Sequence, residues 1–349
     1  MGTETMILDQ NETRLAIVIP AWRARHLAFA LDSLRNQTDR RFRLYIGDDA
    51  SPDDLRTPVE TSTGGLDVVY HRFPENLGGT DLVGHWHRCI ALTQGEPWLW
   101  LFSDDDIANP DCVAAFYRLL EAGTEGATLL RFNVDIIDED GALICRPRAH
   151  PAKETAIELL EIILIGFPRF WCAPDHIFPR AAYERIGGFV NFPKALYSDV
   201  ATWVRLAAEG HVRTIPDARI QFRRHPQGLS SGMLYSFRGE YFAALIGWIE
   251  FAVTTARRLA PERLSRIRRL AQREFCRAVH LSPHAISYRQ MLDLAKRCRH
   301  ASGGNPWLFH PFFHLHVLRY HLRKFPGLKH ISQLRYRRFQ SMLNSSRIT

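Results

Sequence analysis

Residues 98–110 set an apolar run, Trp98-Leu99-Trp100-Leu101-Phe102, directly against Ser103-Asp104-Asp105-Asp106. A short run without polar alternation is the pattern of a strand buried on both faces, which occurs in parallel sheets covered by helices. Acids at the carboxyl end of such a strand fall where open α/β sheets bind ligands. Three adjacent carboxylates repel one another, so a cluster there calls for a counter-cation such as a divalent metal. The other reading is a solvated turn in which Asp106 or Asn109 caps a helix starting near Pro110.

Similar runs recur along the first two-thirds of the chain. Leu15 to Pro20, Phe42 to Gly47 and Asp67 to Arg72 read as strands, and helical spacing follows over His26 to Gln37 and roughly 81–93. Asp48-Asp49-Ala50-Ser51-Pro52 is turn chemistry, and Asn76-Leu77-Gly78-Gly79-Thr80 is a glycine-bearing turn. A helix near 111–122 and a strand from Thr128 to Ile137 come next, then a polar, loop-like stretch over 138–155. Leu159 to Phe170 is strongly apolar and suits a buried helix or the wall of an acceptor site. Ser198 to Glu209 has helical spacing, and His211 to Phe222 returns to strand character. Strands alternating with helices at these intervals imply a doubly wound, mostly parallel sheet flanked by helices.

Charge divides the chain in two. Residues 1–253 hold 25 Lys+Arg against 34 Asp+Glu, whereas residues 254–349 hold 20 against 3. The expected organisation is therefore a catalytic body over 1–235 and a basic helical region over 236–349, which meets an anionic partner, serves the acceptor or packs on the catalytic body. Trp307, Leu308, Phe309, Phe312 and Phe313 lie among Arg319, Arg323, Lys324 and Lys329, a mixture suited to anionic lipid headgroups. No RNA-recognition motif accompanies the charge, which disfavours nucleic acid. The first 14 residues lack an apolar core, so no secretory signal is expected. Six cysteines, none in a C-x-x-C pair, fit reduced thiols in a cytoplasmic protein and argue against structural zinc.

Taken in order, LAIVIPAW, LYIGDDASPDD, ENLGG with HRCIALTQGE, LWLFSDDDIANPD, AAYERIGGF and SDVATWVRLAAEG resemble the segments of family-two inverting glycosyltransferases of the GT-A fold, over about residues 14–231. The resemblance implies transfer of a sugar from a nucleotide donor, a UDP-sugar, to a glycan or lipid-linked acceptor in surface polysaccharide or glycoconjugate assembly. It places Pro20, Ala21 and Trp22 beside the base and ribose, and Asp49 as acceptor of a base N–H. As a turn acid, Asp49 would instead bond Ser51, and both roles can hold together.

The family's Asp-x-Asp metal motif becomes Ser103-x-Asp105 here, with Asp104 an added carboxylate. Asp105 is then the main ligand of Mn²⁺ or Mg²⁺, with Asp104 or Asp106 assisting, and the metal offsets charge on the departing diphosphate. Asp199 aligns with the catalytic base, although a helix start also favours Asp as a cap. Arg223-Arg224-His225-Pro226 with Ser230 and Ser231 resembles a loop whose Arg or His meets the diphosphate or metal; a surface histidine is the simpler reading. Trp171, Asp175 and His176 fall where the family lines its donor and acceptor pocket, and Trp171 serves equally as core packing. Lodging at the inner face of the cell membrane would place such an enzyme beside a lipid-linked acceptor.

Three competing functions were weighed. A non-catalytic nucleotide-sugar or glycan binder would not need Asp49, Asp105 and Asp199 together. A sugar-phosphate nucleotidyltransferase would carry a glycine-rich phosphate loop after the first strand, where PAWRARH has no glycine. A nicotinamide dehydrogenase would show G-x-G-x-x-G after a strand, and none is present.

Overall fold

The computed structural model describes residues 13–166, 168–226, 228, 238–281 and 288–303. Each early apolar run forms a strand: β1 (Leu15–Ala21), β2 (Phe42–Asp48), β3 (Val68–Arg72) and β4 (Trp98–Leu101). They pair in parallel in the order β3-β2-β1-β4, with Ala21 opposite Asp48 and Val18 opposite Leu101. That register brings the loops after β1, β2 and β4 to one edge of the sheet, which positions the site described below.

Strand alternation divides the core. Leu15, Ile17, Ile19, Leu44, Ile46 and Trp100 pack on one face against α1 (Leu27–Arg35), α2 (Arg56–Ser62) and α4 (Cys112–Glu121). Ala16, Val18, Tyr45, Leu99 and Leu101 face the other way, toward α3 (Leu82–Ile90). Both faces being covered is why these strands read as continuous apolar runs.

The second half departs from simple parallel order. After the two-residue β5 (Ile107–Ala108), β6 (Leu129–Ile137) pairs with β10 (Val212–Arg223) in parallel. Between β4 and β6 lies β9 (His176–Pro179), antiparallel to both. This strand was not anticipated, because His-Ile-Phe-Pro is too short and too mixed to show a period. The stretch expected to be loop carries two short strands, β7 (Leu143–Cys145) and β8 (Lys153–Glu154), each drawn into the sheet by backbone pairing. The apolar stretch after them resolves as helix α5 (Ala156–Ile165). Thr155 and Glu158 form a reciprocal capping box at its start, and Gly166, at φ +80°, closes it.

Helices α6 (Arg180–Arg185) and α7 (Ser198–Ala208) precede three from the basic region: α8 (Arg238–Leu259), α9 (Leu264–Leu281) and α10 (Tyr288–Ser302). Phe242, Leu245, Trp248, Ile249, Ile267 and Phe275 of α8 and α9 share one hydrophobic core with Leu159, Leu160 and Trp203. The segments on either side of residue 235 are thus packed together, and Arg266, Arg269, Arg273 and Arg277 of α9 are exposed on its outer side. No helix among the described residues is long and apolar enough to cross a membrane.

Trp248 is 1% exposed and lies parallel to the Tyr197 ring at 6.0 Å. Trp248→Ala should lower unfolding free energy by about 3–5 kcal/mol in urea denaturation, the usual cost of truncating a buried aromatic. A loss below about 1 kcal/mol would show that α8 is tethered to the sheet rather than part of its core.

Candidate active site

The three consecutive aspartates are handled in three different ways. Asp104 is turned toward the loop after β1, where its Oδ2 accepts the backbone N–H groups of Trp22 (3.0 Å) and Arg23 (3.1 Å). Burial and the adjacent Asp105 charge push its carboxyl up to about 6, against those two hydrogen bonds. Asp106, 2% exposed, accepts the Arg223 N–H on Oδ1 (2.7 Å) and the Ser103 hydroxyl on Oδ2 (2.6 Å). Burial, then the Asp105 charge, hold its carboxyl well above the ordinary range. Asp105 keeps a side chain 29% exposed, with Oδ2 at 3.0 Å from His225 Nε2.

The Asp105–His225 pair fits a divalent cation. Two cis ligands of an octahedral ion with bonds of about 2.1 Å stand about 3.0 Å apart, the spacing found here. The same separation also suits a hydrogen bond between the two groups. Among the described residues no set of three or more His, Cys, Asp or Glu side chains is gathered for a metal. A cation at this pair would therefore depend on water and phosphate oxygens for its remaining ligands, as Mg²⁺-type sites do. His225 is 5% exposed, and its ring lies 5.1 Å from that of His26, which was not singled out from the sequence.

Asp199 occupies the first turn of α7. The residue before that helix, Tyr197, has φ 65°, a left-handed conformation that bulky residues rarely adopt. Burial pushes the Asp199 carboxyl up to about 6; the amides of Val200 and Asp199 lower it, and the Asp175 charge raises it. Burial raises the Cys172 thiol, and Asp175, Asp106 and Asp199 all raise it further. The charges of acids from three separate segments therefore act on one cysteine.

Asp49 is buried and committed to its own chain. Its Oδ1 accepts the Leu77 N–H (2.9 Å) and the Arg88 guanidinium, and its Oδ2 accepts the Gly78 N–H (2.8 Å). A Cβ at Gly78 would come within 2.7 Å of that Oδ2, so a larger residue there would displace the Asp49 carboxylate. The bond to Ser51 N–H expected of Asp49 is made by Asp48 instead (2.8 Å), which also accepts Tyr70 Oη (2.5 Å) and Arg72 (2.6 Å). Asp48 sits at the strand end where its oxygens reach β3, whereas Asp49 points toward α3. Ser51 Oγ donates to the Trp22 carbonyl (2.6 Å), joining the loops after β1 and β2. Trp22 itself is 39% exposed beside half-buried Pro20 and buried Ala21.

Asp175 and His176 are wholly buried, beneath the surface rather than lining it. Asp175 Oδ1 contacts His176 Nδ1, and the His176 ring stacks on Trp203 at 4.7 Å. Burial drives the Asp175 carboxyl well up, against the Arg131 charge, and drives the His176 imidazole well down. Trp171 is half-buried against the core and lies 5.9 Å from His150. Arg224 is exposed, and its backbone N–H donates to the Ile137 carbonyl (2.9 Å). Ser230 and Ser231 lie outside the described residues.

Residues 16–160 match the family model described as Glycosyl transferase family 2. The resemblance read from the early motifs holds over that span, and the structural likeness extends past it. S. aureus TarS 1-349 in complex with UDP is 13% identical, with a TM-score of 0.59 over 82% of this chain and 80% of that chain. The same protein in complex with UDP-GlcNAc is 12% identical, with a TM-score of 0.61 over 83% and 81%. No curated protein gives a significant match. The fold is thus that of the GT-A glycosyltransferases, a central mostly parallel sheet flanked by helices.

Because the folded chain holds the Asp199 proton up to about 6, the unfolded chain ionises first as pH rises from about 4. The group therefore lowers stability between those values, and the penalty is complete above the folded value. Asp199→Asn should have a higher Tm than the wild type at pH 7. The difference should shrink to nothing near pH 4, as read by thermal melts across pH. An equal or lower Tm at pH 7 would show that the carboxylate is not held at a cost.

Proposed function

We propose that this chain transfers a sugar from a nucleoside-diphosphate sugar to a hydroxyl of a glycan or lipid-linked acceptor, inverting the anomeric carbon. The observation that carries the reading is a meeting at one sheet edge. The backbone after β1, the Asp104–Asp106 turn after β4 and His225 after β10 converge there, in a sheet matched over residues 16–160 to glycosyl transferase family 2. The favoured donor is a UDP-sugar, since TarS of the same fold is known with UDP and with UDP-GlcNAc.

Each residue then has work its placement suits. Pro20, Ala21 and Trp22 border the base and ribose, and Asp49 acts by shaping the Leu77–Gly78 turn on the same side. Asp105 and His225 hold Mn²⁺ or Mg²⁺, whose chemistry when bound is to offset charge on the departing diphosphate. Asp104 and Asp106 support that pair through backbone bonds. Arg224, exposed immediately after the Asp106-bound strand end, offers its guanidinium to phosphate oxygens. Trp171 offers a ring face to a sugar, and buried Asp175 and His176 form the floor beneath.

Asp199 is the base in this scheme. The acceptor oxygen attacks the anomeric carbon as the bond from that carbon to the diphosphate oxygen breaks. The hydroxyl proton passes to the Asp199 carboxylate, and the nucleoside diphosphate leaves with the bonding pair. A carboxylate raised to about 6 is still ionised at neutral pH and holds the proton better than an ordinary aspartate.

The basic region is assigned to an anionic membrane surface, at the inner face of the cell membrane. The exposed faces of α9 and α10 carry Arg266, Arg269, Arg273, Arg277, Lys296 and Arg297, and exposed Leu259 stands at the end of α8. Residues 304–349, which hold the aromatic and basic stretch from Trp307 to Lys329, lie outside the described residues.

Release of nucleoside diphosphate, screened over nucleotide sugars with and without Mn²⁺, tests the activity. Asp105→Ala should reduce turnover at least a hundredfold, and Asp199→Asn by about 10²–10⁴ with donor affinity kept, the range for a lost general base. Wild-type kcat/KM should fall tenfold per pH unit below about 6, where Asp199 becomes protonated. Wild-type turnover in both variants would overturn the assignments. For the membrane, Arg269→Glu with Arg273→Glu should reduce sedimentation with phosphatidylserine vesicles while leaving turnover on a soluble acceptor intact. Unchanged sedimentation would remove α9 from the membrane surface.

A further inference from the structure

Arg223 is 3% exposed at the end of β10, yet among the described residues no carboxylate pairs with its guanidinium. A buried cation is costly unless its donors are satisfied. Here Nε and Nη1 are met by carbonyl oxygens: Nε donates to Asp105 O (2.9 Å), and Nη1 to Glu139 O (2.7 Å) and Asp138 O (3.3 Å). Its plane also lies 5.5 Å from the Phe29 ring on α1. The Arg223 backbone N–H meanwhile holds the Asp106 carboxylate (2.7 Å), and two residues on, His225 Nε2 meets the Asp105 carboxylate (3.0 Å).

One residue thus grips the aspartate turn twice, by the backbone of Asp105 and by the side chain of Asp106. It also grips the β6–β7 hairpin at Asp138 and Glu139. With Asp104 held by Trp22 and Arg23, the backbone of the turn is fastened on both sides, and the Asp105 carboxylate is the acid left toward His225. A guanidinium suits this work because its planar fork reaches several fixed acceptors at once, whereas an ammonium is a point charge.

We propose that Arg223 is a positioning residue that clamps the 103–106 turn to the 138–141 hairpin and so presents Asp105 and His225 as a pair of cation ligands. The second half of this statement rests on the proposed function; the clamp itself does not. Lysine at 223 keeps the charge but cannot span carbonyls on two loops, so the cation pair loosens without losing either ligand.

The test compares wild type with Arg223→Lys and Arg223→Gln. Hydrogen exchange in both 103–106 and 138–141 should rise together at least tenfold in Arg223→Lys, while β1 and β2 remain protected. Mn²⁺ titrated by electron paramagnetic resonance, alone and with UDP, should bind about tenfold more weakly. The Mn²⁺ concentration for half-maximal turnover should rise about as much, with kcat at saturating Mn²⁺ within threefold of wild type. Unchanged exchange, or exchange raised at only one of the two loops, would overturn the clamp. Loosened loops with unaltered Mn²⁺ affinity, or a kcat loss that saturating Mn²⁺ does not rescue, would overturn the presentation of the ligands. If the wild type binds neither Mn²⁺ nor UDP, the functional reading falls, and joint loosening of the two loops still decides the clamp. Should Arg223→Gln not fold, its loss would be assigned to stability, and Arg223→Lys carries the decision.

Discussion

The arrangement of this edge of the sheet depends on how one turn divides three carboxylates. Three negative charges on adjacent residues are unfavourable, and placing them together in a partly buried turn makes them more so. The chain meets the difficulty by directing two of the side chains inward to backbone amides. Asp104 takes the N–H groups of Trp22 and Arg23, and Asp106 takes that of Arg223. Those bonds are also the fastenings by which β1, β4 and β10 are held in a common frame. Electrostatic relief and architecture are therefore one set of contacts, and the Asp105 carboxylate is the charge that remains directed toward His225.

Much of the first half was legible from the order of residues. A strand covered on both faces shows as an unbroken apolar run, so Leu15–Ala21, Phe42–Asp48 and Trp98–Leu101 were found with ends displaced by a residue or so. Strand β9 was not legible: four residues inserted antiparallel between β4 and β6 owe their conformation to neighbours on both sides, not to any pattern of their own. Strands β7 and β8 were read as loop for the same reason. At the site, residue type indicated which groups carry chemistry, but not which way they point. Asp48 and Asp49 are indistinguishable in sequence, yet one bonds Ser51 and Arg72 and the other bonds the Leu77–Gly78 turn. Arg223 and Arg224 are likewise adjacent, yet the first is buried and the second exposed. Alternation along β10 does not give this, since Ala218 and Ile220 are buried and Arg223 is out of phase with them. Arg223 is drawn in by carbonyls of two other loops.

Burial raises the acids of this region together. Asp175, wholly buried beside Cys172 and His176, has its carboxyl driven well up, and that of Asp199 is pushed up to about 6. The Asp175 charge adds to the rise at Asp199, because nearby carboxylates oppose each other's ionisation. The same holds in the aspartate turn, where burial and then the Asp105 charge raise Asp104 and Asp106. In both places burial is the largest cause of the rise and a neighbouring carboxylate adds to it.

The basic region also bears on the position of Asp199. Tyr197, two residues before it, holds a left-handed conformation that costs a side chain of this size on the order of 1 kcal/mol or more. Such a conformation persists only where the surroundings impose it. The imposing groups come from α8: Trp248 lies parallel to the Tyr197 ring at 6.0 Å, and Tyr241 Oη is 3.3 Å from Tyr197 Oη. Helix α7 begins immediately after this residue, so the direction in which its first turn projects Asp199 follows from the conformation of Tyr197. Helix α8, which packs beside the arginine-bearing α9 and α10, therefore supports the residue that sets the direction of the proposed base. A charge division that suggested two separate functions in the sequence becomes, in the fold, one packed body.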